Sequence, residues 1–270
     1  MKDRTNAPIG IFDSGIGGLT VAKAVMEELP HEDIIYFGDT ARVPYGIKSE
    51  KTIQLYARQI TKFLLEKEVK MVLIACNTVS ASALQSVVDL VNGLPVLDVI
   101  TAGTEAALTD SSRKVGVIGT LATIGSHAYE KALKAKNADL DVVSRACPLL
   151  VPLAEEGWID NEVAQRTLRI YLSPFNQQKP DTLILGCTHY PLFKDAIRKE
   201  MQSSEIRIID SALSIAQSTR KTLDRHNLRN PQSDQGSFQC YVSDKPQRFQ
   251  QLAERFLGRN IPDVHIVSLS

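Results

Sequence analysis

Two short stretches hold the residues with the most chemistry to offer. VLIACNTVSASAL ends an apolar run at Cys76 and follows it with Asn77 and Thr78. TLILGCTHYPL does the same with Cys187, followed by Thr188 and His189. A thiol at the end of a strand and just before a helix lies where parallel sheets bind ligands, at the carboxyl ends of their strands. The free N–H groups of a helix start favour the thiolate. From an ordinary value of ~8.5, only a small downward shift makes a thiol a base near neutral pH. A lone cysteine in such a place is more often an inert, buried hydrophobe. Two of them, each backed by hydrogen-bonding side chains, point to function. Cys147 precedes a proline and Cys240 lies inside a strand pattern, so both read as structural.

Two thiols on facing halves, with one substrate carbon between them, make an inverting device. One removes a proton from one face, and the other supplies a proton to the opposite face. The thiols must differ in protonation at each turnover, so they titrate as a coupled pair. Asp13, Ser14, Asn77, Thr78 and Thr188 offer donors and acceptors for an amino acid's carboxylate and ammonium, and for the charge that develops on proton removal. Asp13 and His189 are placed to exchange protons with the thiols or to orient them. The plainer alternatives are a turn residue for Asp13 and a helix-start histidine for His189. DSGIGG lacks the third glycine of a dinucleotide fingerprint, and Asp13 puts negative charge where a pyrophosphate would lie. Its glycines suit a tight turn and close approach to substrate.

The elements that must position these residues alternate. Strands are expected at 9–12, 33–37, 71–75, 95–99, 114–118, 140–143, 182–185, 206–209, 238–242 and 264–267. Helices are expected between them, with Leu19, Ala22, Val25, Met26 and Leu29 on one face of the first. A helix is placed at 80–91, and another capped by Asp160 with Val163, Thr167, Ile170 and Tyr171 on one face. A third starts at Pro191 and a long one is capped by Ser211. The polar segment Arg229–Gly236 reads as a flexible loop. Such alternation implies parallel sheets covered on both faces.

The chain also echoes itself. PIGIFDSGIGGLTVAKAV resembles KVGVIGTLATIGSHAYEKAL, with Gly10 over Gly116 and Ser14 over Thr120. MVLIACNTVSASAL resembles TLILGCTHYPLFKDAI, with Cys76 over Cys187. The same order at similar offsets argues for two related α/β halves.

Composition narrows the classes. The chain has 270 residues, enough for one large unit or two modest domains. Lys+Arg and Asp+Glu both number 31, which gives no electrostatic case for nucleic acid or an acidic membrane. Four scattered cysteines without a C-x-x-C pair argue against a disulfide scaffold and a structural zinc site. The start MKDRTNAP does not read as a secretory signal, and no apolar stretch is long enough to span a bilayer.

IGIFDSGIGGLTV, DTARVPYG, LIACNT, VPLAEEG and LGCTHYPL, in this order and spacing, resemble the bacterial glutamate racemases. The likeness runs from Pro8 to about Ser214, with a weaker match in the tail. It implies interconversion of L- and D-glutamate without pyridoxal phosphate, other cofactor or metal, supplying D-glutamate for peptidoglycan in the cytoplasm. It implies Cys76 and Cys187 as the acid/base thiols, with Asp13 beside the first and Glu155 and His189 beside the second. Asp13-Ser14, Tyr45-Gly46, Asn77-Thr78 and Thr188-His189 match the substrate-binding pairs. By residue types alone, VPLAEEG is a solvated acidic turn and VPYG a proline turn. The implied fold is two pseudo-symmetric α/β domains, each a mostly parallel sheet flanked by helices, facing across a central cleft. Residues 1–99 plus 210–270 form one and 100–209 the other. A homodimer is a further family expectation; a membrane or nucleic-acid partner is not. An aspartate or hydantoin racemase of the same superfamily is the near alternative. A cysteine hydrolase with Cys187 as nucleophile is the distant one, disfavoured because Cys-Thr-His is too close in sequence and Cys76 is left idle.

Overall fold

The computed structural model describes residues 4–109, 112–201, 205–245, 249–261 and 263–269. In chain order the strands are β1 (Ile9–Asp13), β2 (Ile34–Gly38), β3 (Met71–Ile74), β4 (Val96–Asp98), β5 (Lys114–Gly119), β6 (Asp141–Ala146), β7 (Thr182–Gly186), β8 (Arg207–Asp210), β9 (Phe238–Val242) and β10 (Val264–Ile266). They form a six-stranded sheet, β10-β9-β2-β1-β3-β4, and a four-stranded sheet, β6-β5-β7-β8. Every pairing is parallel. The order β2-β1-β3-β4 recurs as β6-β5-β7-β8, so the echo in the sequence is an echo in topology. β1 corresponds to β5, and β3 to β7.

Central strands are continuous apolar runs because helices cover both faces. Every residue of β1, β2, β3 and β7 is buried. β6, at an edge, is only partly covered. Its Asp141 pairs across the register with Lys114 at 2.8 Å, and charge at an edge discourages further strand addition.

The helices are α1 (Leu19–Glu28), α2 (Glu50–Glu66), α3 (Asn77–Val88), α4 (Val99–Ala107), α5 (Leu121–Gly125), α6 (Ala128–Lys136), α7 (Leu150–Glu156), α8 (Glu162–Gln178), α9 (Lys194–Glu200), α10 (Ser211–His226) and α11 (Phe249–Leu257). α10 packs on both α1 and α4, so helices from the two sheets meet at the joint. One apolar cluster runs through it, joining Ile11, Leu19 and Val25 to Leu185, Tyr190 and Ile215. Among the described residues no helix is long and apolar enough to cross a membrane.

Several elements differ from expectation. α3 begins at Asn77, not Ser80, with Cys76 itself in the extended N-cap position. Pro191 lies within a 3-10 turn, Tyr190–Phe193, and α9 starts only at Lys194. Cys187 therefore lacks an α-helix directly behind it. α8 is capped by Asn161, whose Oδ1 accepts from the Ala164 N–H at 2.9 Å, rather than by Asp160. Its inward face is Ala164, Leu168, Leu172 and Phe175, while Val163 and Ile170 are exposed. Two apolar stripes at helical spacing compete there, and only the neighbouring sheet selects one. Asp210, not Ser211, caps α10, accepting from the Ala212 N–H at 2.9 Å. α4 and α7 have no counterpart in the sequence reading. The segment Arg229–Gly236 has little regular structure but is held down. Asn230 N–H donates to Glu32 Oε1 at 2.9 Å, and Gly236 N–H to the Pro30 carbonyl at 2.9 Å.

Candidate active site

A cavity of about 310 Å³ opens where the carboxyl ends of the two sheets meet. From the six-stranded sheet's side it is lined by Asp13, Ser14, Tyr45, Gly46, Cys76, Asn77 and Thr78. From the other side come Glu155, Cys187, Thr188 and His189. All the candidate residues are thus brought to one place. Cys147 and Cys240 are buried and do not line it.

Cys76 sits at the start of α3, its Sγ 3.3 Å from Ser14 Oγ. The expectation of a lowered thiol is overturned here. Burial pushes Cys76 up to about 12, and the nearby charge of Asp13 adds to it. The Ser14 hydroxyl and the N–H groups of Val79 and Ser14 pull the other way and lose. Cys76 is a neutral thiol in this state, donating toward Ser14. Asp13 is both turn residue and cavity residue. Its Oδ2 accepts from the Gly15 N–H at 2.9 Å, while its buried Oδ1 has no hydrogen-bond partner. Burial raises its carboxyl above the usual range, against the opposing pull of His189 and the N–H groups of Gly15, Gly18 and Ser14.

Cys187 has a different environment. His189 Nδ1 lies 3.9 Å from its Sγ, and His189 Nε2 lies 3.1 Å from Glu155 Oε1. The close spacing of Cys-Thr-His therefore does not keep thiol and ring apart, contrary to the argument used against a hydrolase. Glu155, not Glu156, is the partner, and it rides on α7 rather than on an irregular acidic turn. Burial works against charge on the His189 ring, but the contacts with Cys187 and Glu155 outweigh it and raise the ring to about 10. An unfolded histidine titrates near 6.5. The folded protein keeps a proton that the unfolded chain releases between those values, so this stabilisation is complete below 6.5 and fades as pH climbs toward 10. Urea midpoints should fall from pH 6 to pH 10 more steeply in the parent than in His189→Asn; parallel profiles would disprove the coupling.

Direct contacts close the joint around the cavity. Thr78 Oγ1 and Thr120 Oγ1 are 3.2 Å apart, and Tyr129 donates its hydroxyl to Asn77 Oδ1 at 2.7 Å. Thr20 Oγ1 donates to the Thr188 carbonyl at 3.1 Å. Gly17 lies against Thr188 and His189 across the joint. A Cβ there would lie 2.3 Å from Thr188 Oγ1 and 2.5 Å from His189 Nδ1. The glycine thus makes room for the side chains of the other half. Tyr45 forms part of the wall, and its hydroxyl donates to the buried Asp39, which also holds Arg42 through Nε at 2.7 Å and accepts from Ser243 Oγ at 2.7 Å. Sequence reasoning missed Thr120 and Tyr129 as site residues. The alignment of Thr120 with Ser14 was the available signal; nothing local marked Tyr129.

The buried amide nitrogen of Asn77 has no hydrogen-bond partner, and Tyr129 fixes the other end of that amide. Among the described residues no lysine or arginine lines the cavity. A carboxylate there would be met by hydroxyls, amide and backbone N–H groups and the His189 ring. Among the described residues no cluster of three or more His, Cys, Asp or Glu could hold a metal ion.

The Asp/Glu/Hydantoin racemase family matches residues 19–219. A glutamate racemase of Syntrophus aciditrophicus is 52% identical over 263 residues, covering 97% of each chain. The crystal structure of glutamate racemase from Francisella tularensis, in complex with D-glutamate, superposes with a TM-score of 0.93 at 44% identity, covering 98% of this chain and 99% of that one. The enzyme from Thermus thermophilus, solved with beta-chloro-D-alanine, gives 0.87 at 42% identity, covering 98% of both chains.

Proposed function

This chain belongs to the Asp/Glu/hydantoin racemase family, and on that premise we propose that its two thiols interconvert L- and D-glutamate by transferring protons on opposite faces of Cα. The relatives at high identity and full coverage are glutamate racemases, and they favour glutamate over the aspartate and hydantoin alternatives. One observation carries the chemistry: Cys76 and Cys187 follow β3 and β7, corresponding strands of two like-ordered sheets, and line the same cavity.

In one direction a thiolate takes the Cα proton and becomes a thiol, leaving the electron pair on carbon. The opposite thiol gives its proton to that carbon and becomes the thiolate. The resting protein supports Cys76 as the donor, because burial and Asp13 keep its proton on. After turnover the thiols have exchanged states and must be reset by proton exchange with water. Asp13 beside Cys76, and the Glu155–His189 pair beside Cys187, are placed to do this. The hydroxyls of Ser14, Thr78 and Thr188, the free Asn77 amide and the wall of Tyr45 and Gly46 hold the substrate's carboxylates, and Asp13 faces its ammonium. The charge that builds on the α-carboxylate is met by these fixed donors.

The remaining parts of the reading rest on the resemblance. The enzyme supplies D-glutamate for peptidoglycan in the cytoplasm, forms a homodimer, and divides into domains 1–99 with 210–270 and 100–209. The division is supported by strand membership: β1–β4, β9 and β10 in one sheet and β5–β8 in the other. The decisive assay uses L-glutamate in deuterated water without added cofactor. Optical rotation should decay to zero while deuterium enters Cα of the product. Racemisation with the original Cα hydrogen retained, or no reaction at all, would exclude the two-thiol mechanism.

A further inference from the structure

We infer that Arg255, on α11 in the C-terminal tail, is a positioning residue that serves only the Cys187 face of the site. The inference rests on the two-thiol reading above. Arg255 Nη1 donates to the carbonyl of Glu155 at 2.8 Å and to that of Ala154 at 3.3 Å. These carbonyls lie in the last turn of α7, a helix of 7 residues. The backbone caps this short helix through Gly157 N–H to the Ala154 carbonyl at 3.0 Å and Trp158 N–H to the Leu153 carbonyl at 2.8 Å, and the Arg255 cation on its last carbonyls adds an external brace. Gly157 ends α7 in the left-handed conformation, φ +76°, and a Cβ there would lie 2.7 Å from the guanidinium carbon. The glycine therefore both turns the chain and leaves room for Arg255.

The next residue in the tail reaches the other half of the pair. The buried Phe256 ring meets the His189 ring edge-on, with centroids 5.0 Å apart at 78°. Adjacent residues of α11 thus hold Glu155 from behind and His189 from the side. The 3.1 Å contact between those two, and the approach of His189 to Cys187, depend on both grips. Cys76 is served by Ser14 and Asp13, and the gripped pair reaches it only indirectly, through the pull of the His189 charge on Asp13. Without Arg255 the end of α7 keeps only its backbone cap, Glu155 shifts from His189, and proton exchange slows far more at Cys187 than at Cys76.

Overall turnover cannot reveal this, because the two directions share one equilibrium constant and kcat/KM falls equally in both. One-face exchange can. Cys76→Ser retains only the Cys187 face, and Cys187→Ser only the Cys76 face. In deuterated water each should still exchange the Cα hydrogen of one glutamate enantiomer. Adding Arg255→Ala should slow exchange about tenfold in the Cys76→Ser background and change it less than about twofold in the Cys187→Ser background. Arg255→Lys, which still reaches the Glu155 carbonyl, should keep most of the exchange; should the alanine variant not fold, Arg255→Gln carries the same comparison. Equal losses on both faces, or no loss on the Cys187 face, overturn the inference. If neither single-thiol parent exchanges either enantiomer, the two-thiol reading has failed and this inference falls with it.

Discussion

Replacing either thiol by serine should lower racemisation by at least about a thousand-fold, within the range that a positioned acid or base contributes. A serine hydroxyl in place of Cys76 or Cys187 is far too weak an acid to share the proton traffic at neutral pH. The losses should not add: the double variant should be little slower than either single one, because the two groups act as one device. The size of the loss separates chemistry from packing. Both cysteines are nearly buried, at 6% exposure, and serine is close in volume, so structural damage alone would be modest. Initial rates in both directions, followed by circular dichroism of the amino acid, measure the effect. A single variant that retained a rate within about tenfold of the parent in both directions would sink the two-base scheme.

Gly17→Ala is the second large expected effect, and it acts without touching a reacting atom. The backbone at Gly17 is not left-handed, so an alanine is conformationally acceptable. The obstacle is the opposite wall, with Thr188 Oγ1 at 2.3 Å and His189 Cε1 and Nδ1 at 2.5 Å from the added carbon. Those side chains follow Cys187 directly and cannot swing far without disturbing it. The walls must part or the ring must turn, and a displacement of roughly 1 Å at a reacting group costs about a hundred-fold in rate. The same overpacking should cost about 1–3 kcal/mol of stability. The variant should therefore remain folded at 25 °C with kcat/KM reduced about a hundred-fold. Thermal melting and steady-state kinetics report the two effects separately. A folded variant with near-parental kcat/KM would show that wall separation does not matter to the chemistry.

Much of this protein was legible without coordinates. Apolar runs of 4–6 residues marked the central strands, because a strand covered on both faces admits little else. The two cysteines, each at the end of such a run, announced a paired site, and the echo around them announced the duplicated strand order. These signals are local: each is written in a dozen consecutive residues. What the tertiary structure decided is of another kind. It chose the inward stripe of α8. It set Glu155 rather than Glu156 against His189, and brought Thr120 to Thr78. It reversed the expected shift of Cys76, because the helix start behind the thiol is outweighed by burial and by Asp13. It also carried Arg255 from the tail to the end of α7. Hydrogen-bonding propensity and periodicity act between near neighbours in the chain and survive in sequence. Desolvation, and the meeting of side chains a hundred residues apart, exist only once two packed sheets have closed on a shared cavity.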